Sequence, residues 1–150
     1  MYFYIGGSLG SFIFGALSEW LRSRKKAILI ALGALSISLI LFFTAEGVSP
    51  SLFYFILVII GIQSGYWAVF VTTASEQFGT NIRATVTTTV PNFVRGATIM
   101  VTTAFGWLKS TSPGILGSGI LIGIVVISVA IYATLKIEES YHKDLDYFES

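Results

Sequence analysis

Along this chain the apolar positions run on without alternation, and charges punctuate them. No charged residue occurs in 1–18, 27–45, 47–75 or 110–135, the last three being runs of 19, 29 and 26 residues. A helix needs about 20 apolar residues to cross the hydrocarbon core of a bilayer, so runs of this length fit membrane spans better than buried strands. A fifth stretch lies between Arg83 and Lys109 and is interrupted by Arg95 alone. The pattern predicts an all-α membrane protein with five transmembrane helices, over about 1–19, 26–45, 51–75, 85–108 and 114–136, followed by a hydrophilic tail over 137–150. In lipid every backbone polar group must be satisfied within the segment, which favours helix, and the alternating strands of a β-barrel are not visible. Gly47 and Pro50 mark one turn, and Pro113 and Gly114 mark another. A cleaved leader at the amino terminus is disfavoured, because the first apolar stretch lacks a basic start.

Composition narrows the picture. The chain is 54% hydrophobic and 11% charged, with a mean hydropathy of +0.80. Soluble domains carry roughly 25% charged residues, so too little polar surface is left to coat a water-facing globule. A net charge of +1 offers no field for nucleic acid. There is no cysteine and one histidine, His142, which removes thiolate and multi-histidine metal sites. Neither a nucleophile–base–acid set nor a phosphate-binding glycine loop is present, so no enzyme, cofactor or metal is expected.

Charge also sets orientation. Under the five-span model one side holds Arg22, Arg24, Lys25, Lys26, Arg83, Lys136 and Lys143, and the other holds Lys109. Cytoplasmic loops are enriched in lysine and arginine, so the basic block and the carboxy-terminal tail are expected in the cytoplasm. The amino terminus then emerges outside, as expected of a chain whose preceding helices are missing.

The basic block carries a pattern as well as a charge. In "GALSEWLRSRKK", Gly15, Leu17, Ser18, Glu19 and Arg24 to Lys26 resemble the motif between helices two and three, and again eight and nine, of major facilitator superfamily transporters. Glu19 stands where aspartate is usual, Trp20 and Ser23 replace arginines, and Arg22 replaces a glycine. In "SEQFGTNIRAT", Glu76, Phe78 and Arg83 resemble a signature between helices ten and eleven of sugar-porter-like members, with Gly79 in place of a common proline. In the tail, Glu139 and Leu145 fit a segment that follows helix twelve, while Ser140 and His142 depart from it.

The resemblance implies that the five spans correspond to helices eight to twelve of a twelve-helix major facilitator fold. It implies a secondary transporter that moves a small solute, a sugar or organic anion, by alternating access. Coupling to a proton or another ion is implied by the resemblance and not by residues here. It also implies that Gly15, Glu19, Arg22, Arg24, Lys25, Lys26, Glu76 and Arg83 form a cytoplasmic gate. Glu19 would dock across the two halves of the transporter, on a partner in the missing first half. Glu76 and Arg83 could pair with each other or with the basic block. The alternative is a stand-alone five-span structural or interaction subunit in which these charges only set topology.

Within the bilayer, Gln63, Tyr66 and Trp67 share a broad helix face and are candidates for a substrate pathway, or for helix-packing glue. Gly61 and Gly65 are four apart, as are Gly6 and Gly10, and Gly119 and Gly123, a spacing that lets helices approach closely. From Arg95 the next apolar run, 96–108, gives about 20 Å of helix, too short for a core of roughly 30 Å. The span therefore begins before Arg95 and places a charge inside the membrane, at a cost of about 2.5–3.5 kcal/mol or more. Arg95, with Asn92 on the same face, is expected to meet an anionic group of the solute or a carboxylate on a facing helix. The alternative is a side chain that snorkels to the headgroups.

Overall fold

The computed structural model describes residues 1–45, 47–111 and 114–141. Among them every regular element is a helix: α1 Tyr2–Trp20, α2 Arg24–Thr44, α3 Pro50–Ser64, α4 Trp67–Glu76, α5 Thr80–Leu108 and α6 Gly114–Lys136. Three helical passes, Arg24–Thr44, Pro50–Glu76 and Gly114–Lys136, are long and apolar enough to cross a membrane. The all-helical expectation therefore holds, and these three passes are compatible with a membrane protein.

The boundaries differ from expectation in two places. The third stretch is interrupted between α3 and α4, where Gly65 and Tyr66 close tight turns onto the carbonyls of Ile62 (3.0 Å) and Gln63 (3.3 Å). The cause is packing: a side chain on Gly65 would run into the Gly10 backbone of α1, so the chain is pressed against its neighbour there. The fourth helix begins at Thr80 instead of 85, because Gly79 supplies the extended residue from which α5 starts. It then runs through Pro91 to Leu108.

Successive passes alternate in direction. The ends of α1 and α4 and the starts of α2 and α5 meet at one end of the bundle, and the last carbonyls of α6 join them there. α1 and α3 lie parallel and form the most extensive helix pair. Gly6 and Gly10 face Gly61 and Gly65, and a methyl group on any of the four would overlap the partner helix's backbone. Close approach of this kind needs small residues, and both glycine spacings seen in the sequence are used in it. The Gly119–Gly123 pair is not: a methyl group on Gly119 would meet the Phe43 ring at 3.1 Å, a side chain and not a helix backbone, and Gly123 faces open space.

The buried apolar core is small: Phe14, Ala27, Ile28, Ala31, Leu32 and Val69, in the half of the bundle nearest the charged end. Large apolar side chains stand exposed on every helix, Phe12, Ile40, Phe55, Trp67, Met100 and Val129 among them. No residue of α5 is buried. A surface this apolar has to be covered by something other than water.

Candidate functional site

The turn between α1 and α2 is where polar groups converge. Ser23 donates its backbone N–H to the Ser18 carbonyl (3.2 Å), and Arg22 donates to that of Glu19 (3.1 Å). This pair of bonds is a helix-terminating motif whose penultimate residue is left-handed, and Arg22 has φ 49°. Glycine adopts that conformation freely and arginine does not. The Ser23 side chain then accepts from the Lys26 N–H (3.1 Å) and starts α2.

Arg24, in the first turn of α2, reaches back over the ends of α1 and α4. Its Nη1 donates to Ser18 Oγ (2.7 Å) and to Glu19 Oε1 (2.7 Å). Its Nε (3.4 Å) and Nη2 (3.2 Å) straddle the carboxylate of Glu76. The Glu76 side chain is 9% exposed and that of Glu19 is 60% exposed, so one guanidinium joins a buried acid to a solvated one. The chain after α6 completes the cluster. Ser140, almost fully buried, donates its hydroxyl to Glu76 Oε2 (2.6 Å). Tyr141 donates to Glu19 Oε2 (2.9 Å), and its ring lies 5.1 Å from the Arg24 guanidinium.

Beside this triad, α2 and α6 cap each other. Glu139 accepts from the backbone N–H groups of Arg24 (2.9 Å) and Lys25 (3.3 Å) and from the Ser23 hydroxyl. Lys25 Nζ donates to the carbonyls of Leu135 (2.6 Å) and Ile137 (3.1 Å). An acid thus sits at the positive end of α2 and a cation at the negative end of α6. Partial burial raises the Glu139 pKa, but the hydrogen bonds from Ser23, Arg24, Tyr141 and Lys25 outweigh it and hold the carboxyl below its usual value. The hydrogen bond to Glu19 moves the Tyr141 hydroxyl up.

The cluster therefore gathers Glu19, Arg24, Lys25 and Glu76, and Glu76 takes the basic block as its partner. Lys26 takes part through its backbone, Arg22 through its conformation, and Arg83 bonds the carbonyl of Phe78 (3.1 Å). Gly15 has open space around its missing side chain, so no close approach requires it. Glu19, expected to dock on a missing half, has partners within this chain in Arg24 and Tyr141. His142 and Leu145 lie outside the described residues.

The residues expected along a solute pathway differ in exposure and partners. Gln63 is buried and turned toward α2, where its Nε2 donates to Ser38 Oγ (2.7 Å) and its Oε1 has no partner among the described residues. Tyr66 lines a cleft of about 180 Å3 with Phe70, Thr73 and Ala130. Trp67 is partly exposed and packs on Phe70. Asn92 and Arg95 are together on α5, both exposed, with Arg95 Nη1 donating to Asn92 Oδ1 (3.1 Å).

Sequence reasoning named Ser18 as a motif residue but not as a partner of Arg24; it missed Ser23, Ser140 and Tyr141 as members of the cluster, and Ser38 as the partner of Gln63. Ser23 was findable as a serine just before a helical run; Ser140 was visible only as a departure from the family segment, and Tyr141 carried no local signal. Neither a family model, nor a curated protein, nor a solved structure matches the chain.

Proposed function

We propose that this chain is the carboxy-terminal part of a major-facilitator-like secondary transporter for a small solute, and that its charge cluster is the cytoplasmic latch of one alternating state. The observation that carries the reading is the Arg24 guanidinium shared between Glu19 at the end of α1 and Glu76 at the end of α4. A device that ties helix ends together through one partly buried cation can hold a state and release it at modest cost, because a gate balanced within a few kcal/mol responds to a single such contact. Further support comes from Arg22, whose left-handed backbone falls where the family pattern has a glycine. The bare apolar surface, together with an α5 on which no residue is buried, supports a partner bundle and lipid as the covering. On this reading α1 and α5 also span the membrane, giving five spans, with the seven-cation side in the cytoplasm. The protein sits in a plasma or inner membrane and is not an enzyme.

A second reading has one observation in its favour: the cluster closes on itself, since Glu19 finds its partners inside this chain. A self-contained cluster suits a five-span structural subunit. Flux decides between the two. The protein expressed from its complete reading frame is reconstituted in vesicles and challenged with labelled sugars and organic anions. Saturable uptake that an ion gradient accelerates is the expected result. Uptake indistinguishable from empty vesicles across both solute classes refutes the transporter reading.

A further inference from the structure

We infer that the exposed face of α5 is a binding site for a small monocarboxylate, whose carboxylate meets Arg95. This rests on the transporter reading above and narrows it to a solute class. α5 is 29 residues long, about 43 Å at 1.5 Å per residue. Arg95 lies near its middle, about 18 Å along the axis from Arg83 and about 21 Å from Lys109. In a membrane-spanning α5 that is the depth of the bilayer centre. Its side chain is exposed, and its one polar partner among the described residues is Asn92. That bond uses a single N–H of the guanidinium and fixes its plane, leaving a pair of parallel donors for a carboxylate.

Among the described residues no acid lies at that depth. Of the chain's eight acids, Glu19, Glu76, Glu138 and Glu139 belong to the charged end, where hydrogen bonds hold them or their backbone. Glu46 follows α2 in sequence, and Asp144, Asp146 and Glu149 follow α6. Among the described residues Arg95 therefore has no counter-charge. A carboxylate on a facing helix would need Arg95 alone. α5 instead carries further polar side chains along the same side: at helical spacing Thr85, Thr88, Asn92, Arg95 and Thr102 fall within an arc of about 100°, which the exposed Ile99 shares. All five are exposed. The row extends about 26 Å, nearly the thickness of the hydrocarbon core; Thr88, Asn92 and Thr102 donate to carbonyls of their own helix, yet more polarity lines this side than one ion pair uses. The single guanidinium balances one negative charge, which selects a monocarboxylate over a phosphate dianion.

The test uses the protein from its complete reading frame. Purified protein is titrated with acetate, lactate, gluconate, inorganic phosphate and neutral sugars, with binding read from the thermal unfolding midpoint. Uptake of the same solutes into vesicles is measured separately. The expected result is a saturable upward shift with a monocarboxylate. Arg95→Gln should weaken that binding tenfold or more. Arg95→Lys should weaken it as well, because lysine keeps the charge but lacks the two-pronged donor. Asn92→Ala, which keeps the charge and frees the guanidinium, should cause a smaller loss. Absence of any anion-induced shift overturns the inference, as does tighter binding of phosphate than of every monocarboxylate. Equal anion affinity in the parent and Arg95→Lys, with Arg95→Gln failing to fold, assigns the face to a carboxylate on a facing helix and also overturns it. Arg95-dependent anion binding without uptake sustains the site and refutes the transporter reading. Uptake of a neutral sugar that survives Arg95→Gln does the reverse.

Discussion

Two acids share Arg24, and they should differ in worth. Glu76 is the buried one: it accepts two guanidinium bonds, at 3.2 and 3.4 Å, and the Ser140 hydroxyl at 2.6 Å. Glu76→Gln keeps the shape and removes the charge. Breaking a fully buried pair costs about 3–5 kcal/mol, because a desolvated charge is left alone. Here Arg24 retains Glu19 and the Tyr141 ring, so the expected loss is that of a charge-assisted hydrogen bond, about 1.5–3 kcal/mol. Glu19 is solvated, water replaces its contact with Arg24, and Glu19→Gln should cost clearly less. The assay is reversible unfolding in mixed micelles, followed by the fluorescence of the three tryptophans. In the transporter reading the same loss shifts the balance of alternating states by about 10- to 150-fold. A Glu76→Gln protein no less stable than the Glu19→Gln protein refutes the assignment of Glu76 as the anchor.

Three further outcomes are expected. Arg22→Gly relieves a left-handed arginine at φ 49° and should stabilise the fold by up to about 1 kcal/mol in the same unfolding assay. Gly10→Ala drives a methyl group into the Ile62 backbone and should cost about 1–3 kcal/mol, whereas Gly15→Ala, with open space around it, should be neutral or gain a few tenths. Desolvation raises the Glu139 pKa, but the hydrogen bonds from Ser23 and from the backbone N–H groups of Arg24, Tyr141 and Lys25 outweigh it and hold it below its usual value, so its contribution is complete at neutral pH and is lost as the pH falls below the ordinary glutamate value and through the lowered one. The stability gap between the parent and Glu139→Gln should close over that range; a gap that stays constant into acid refutes the capping role.

Helices were legible in the sequence wherever uninterrupted apolar runs carried the signal, which is why α2 and α6 fall within a few residues of expectation. The interruption between α3 and α4 was not legible. Gly65 reads as one more small residue in a packing ridge, and what opens the helix there is the α1 backbone pressed against it. The start of α5 at Thr80 was hidden because "GTNIRAT" is polar and reads as loop. At the charged end, Arg24, Lys25, Glu19 and Glu76 were visible as charges in tell-tale places. Which of them would meet was not, since Glu76 is 52 residues from Arg24 and Glu139 is 115 from it. Ser140 stood out as a departure from the family segment, yet its hydroxyl is what closes the Glu76 carboxylate.

The packing of α5 links the two sites. Its substantial contacts are with α4 and α6. Both of those helices end in the cluster, α4 through Glu76 and α6 through the carbonyls that Lys25 holds and the Glu139–Tyr141 segment beyond them. A shift of α5 toward a solute at Arg95 therefore pulls on elements whose ends the latch joins. If the latched and released states differ in the position of α5, they bind the solute with different affinity. Glu76→Gln should then alter monocarboxylate affinity although Glu76 lies at the bundle's end and Arg95 near the middle of α5. By linkage, a saturating monocarboxylate should change the latched population by the same factor that Glu76→Gln reveals in affinity between the two states. The chain has no cysteine, so one introduced at Ser23, beneath the Glu139 carboxylate, reports that population by its rate of thiol labelling. Labelling rates that ignore the solute, in a protein that demonstrably binds it, refute the coupling and leave the latch and the anion site as independent features.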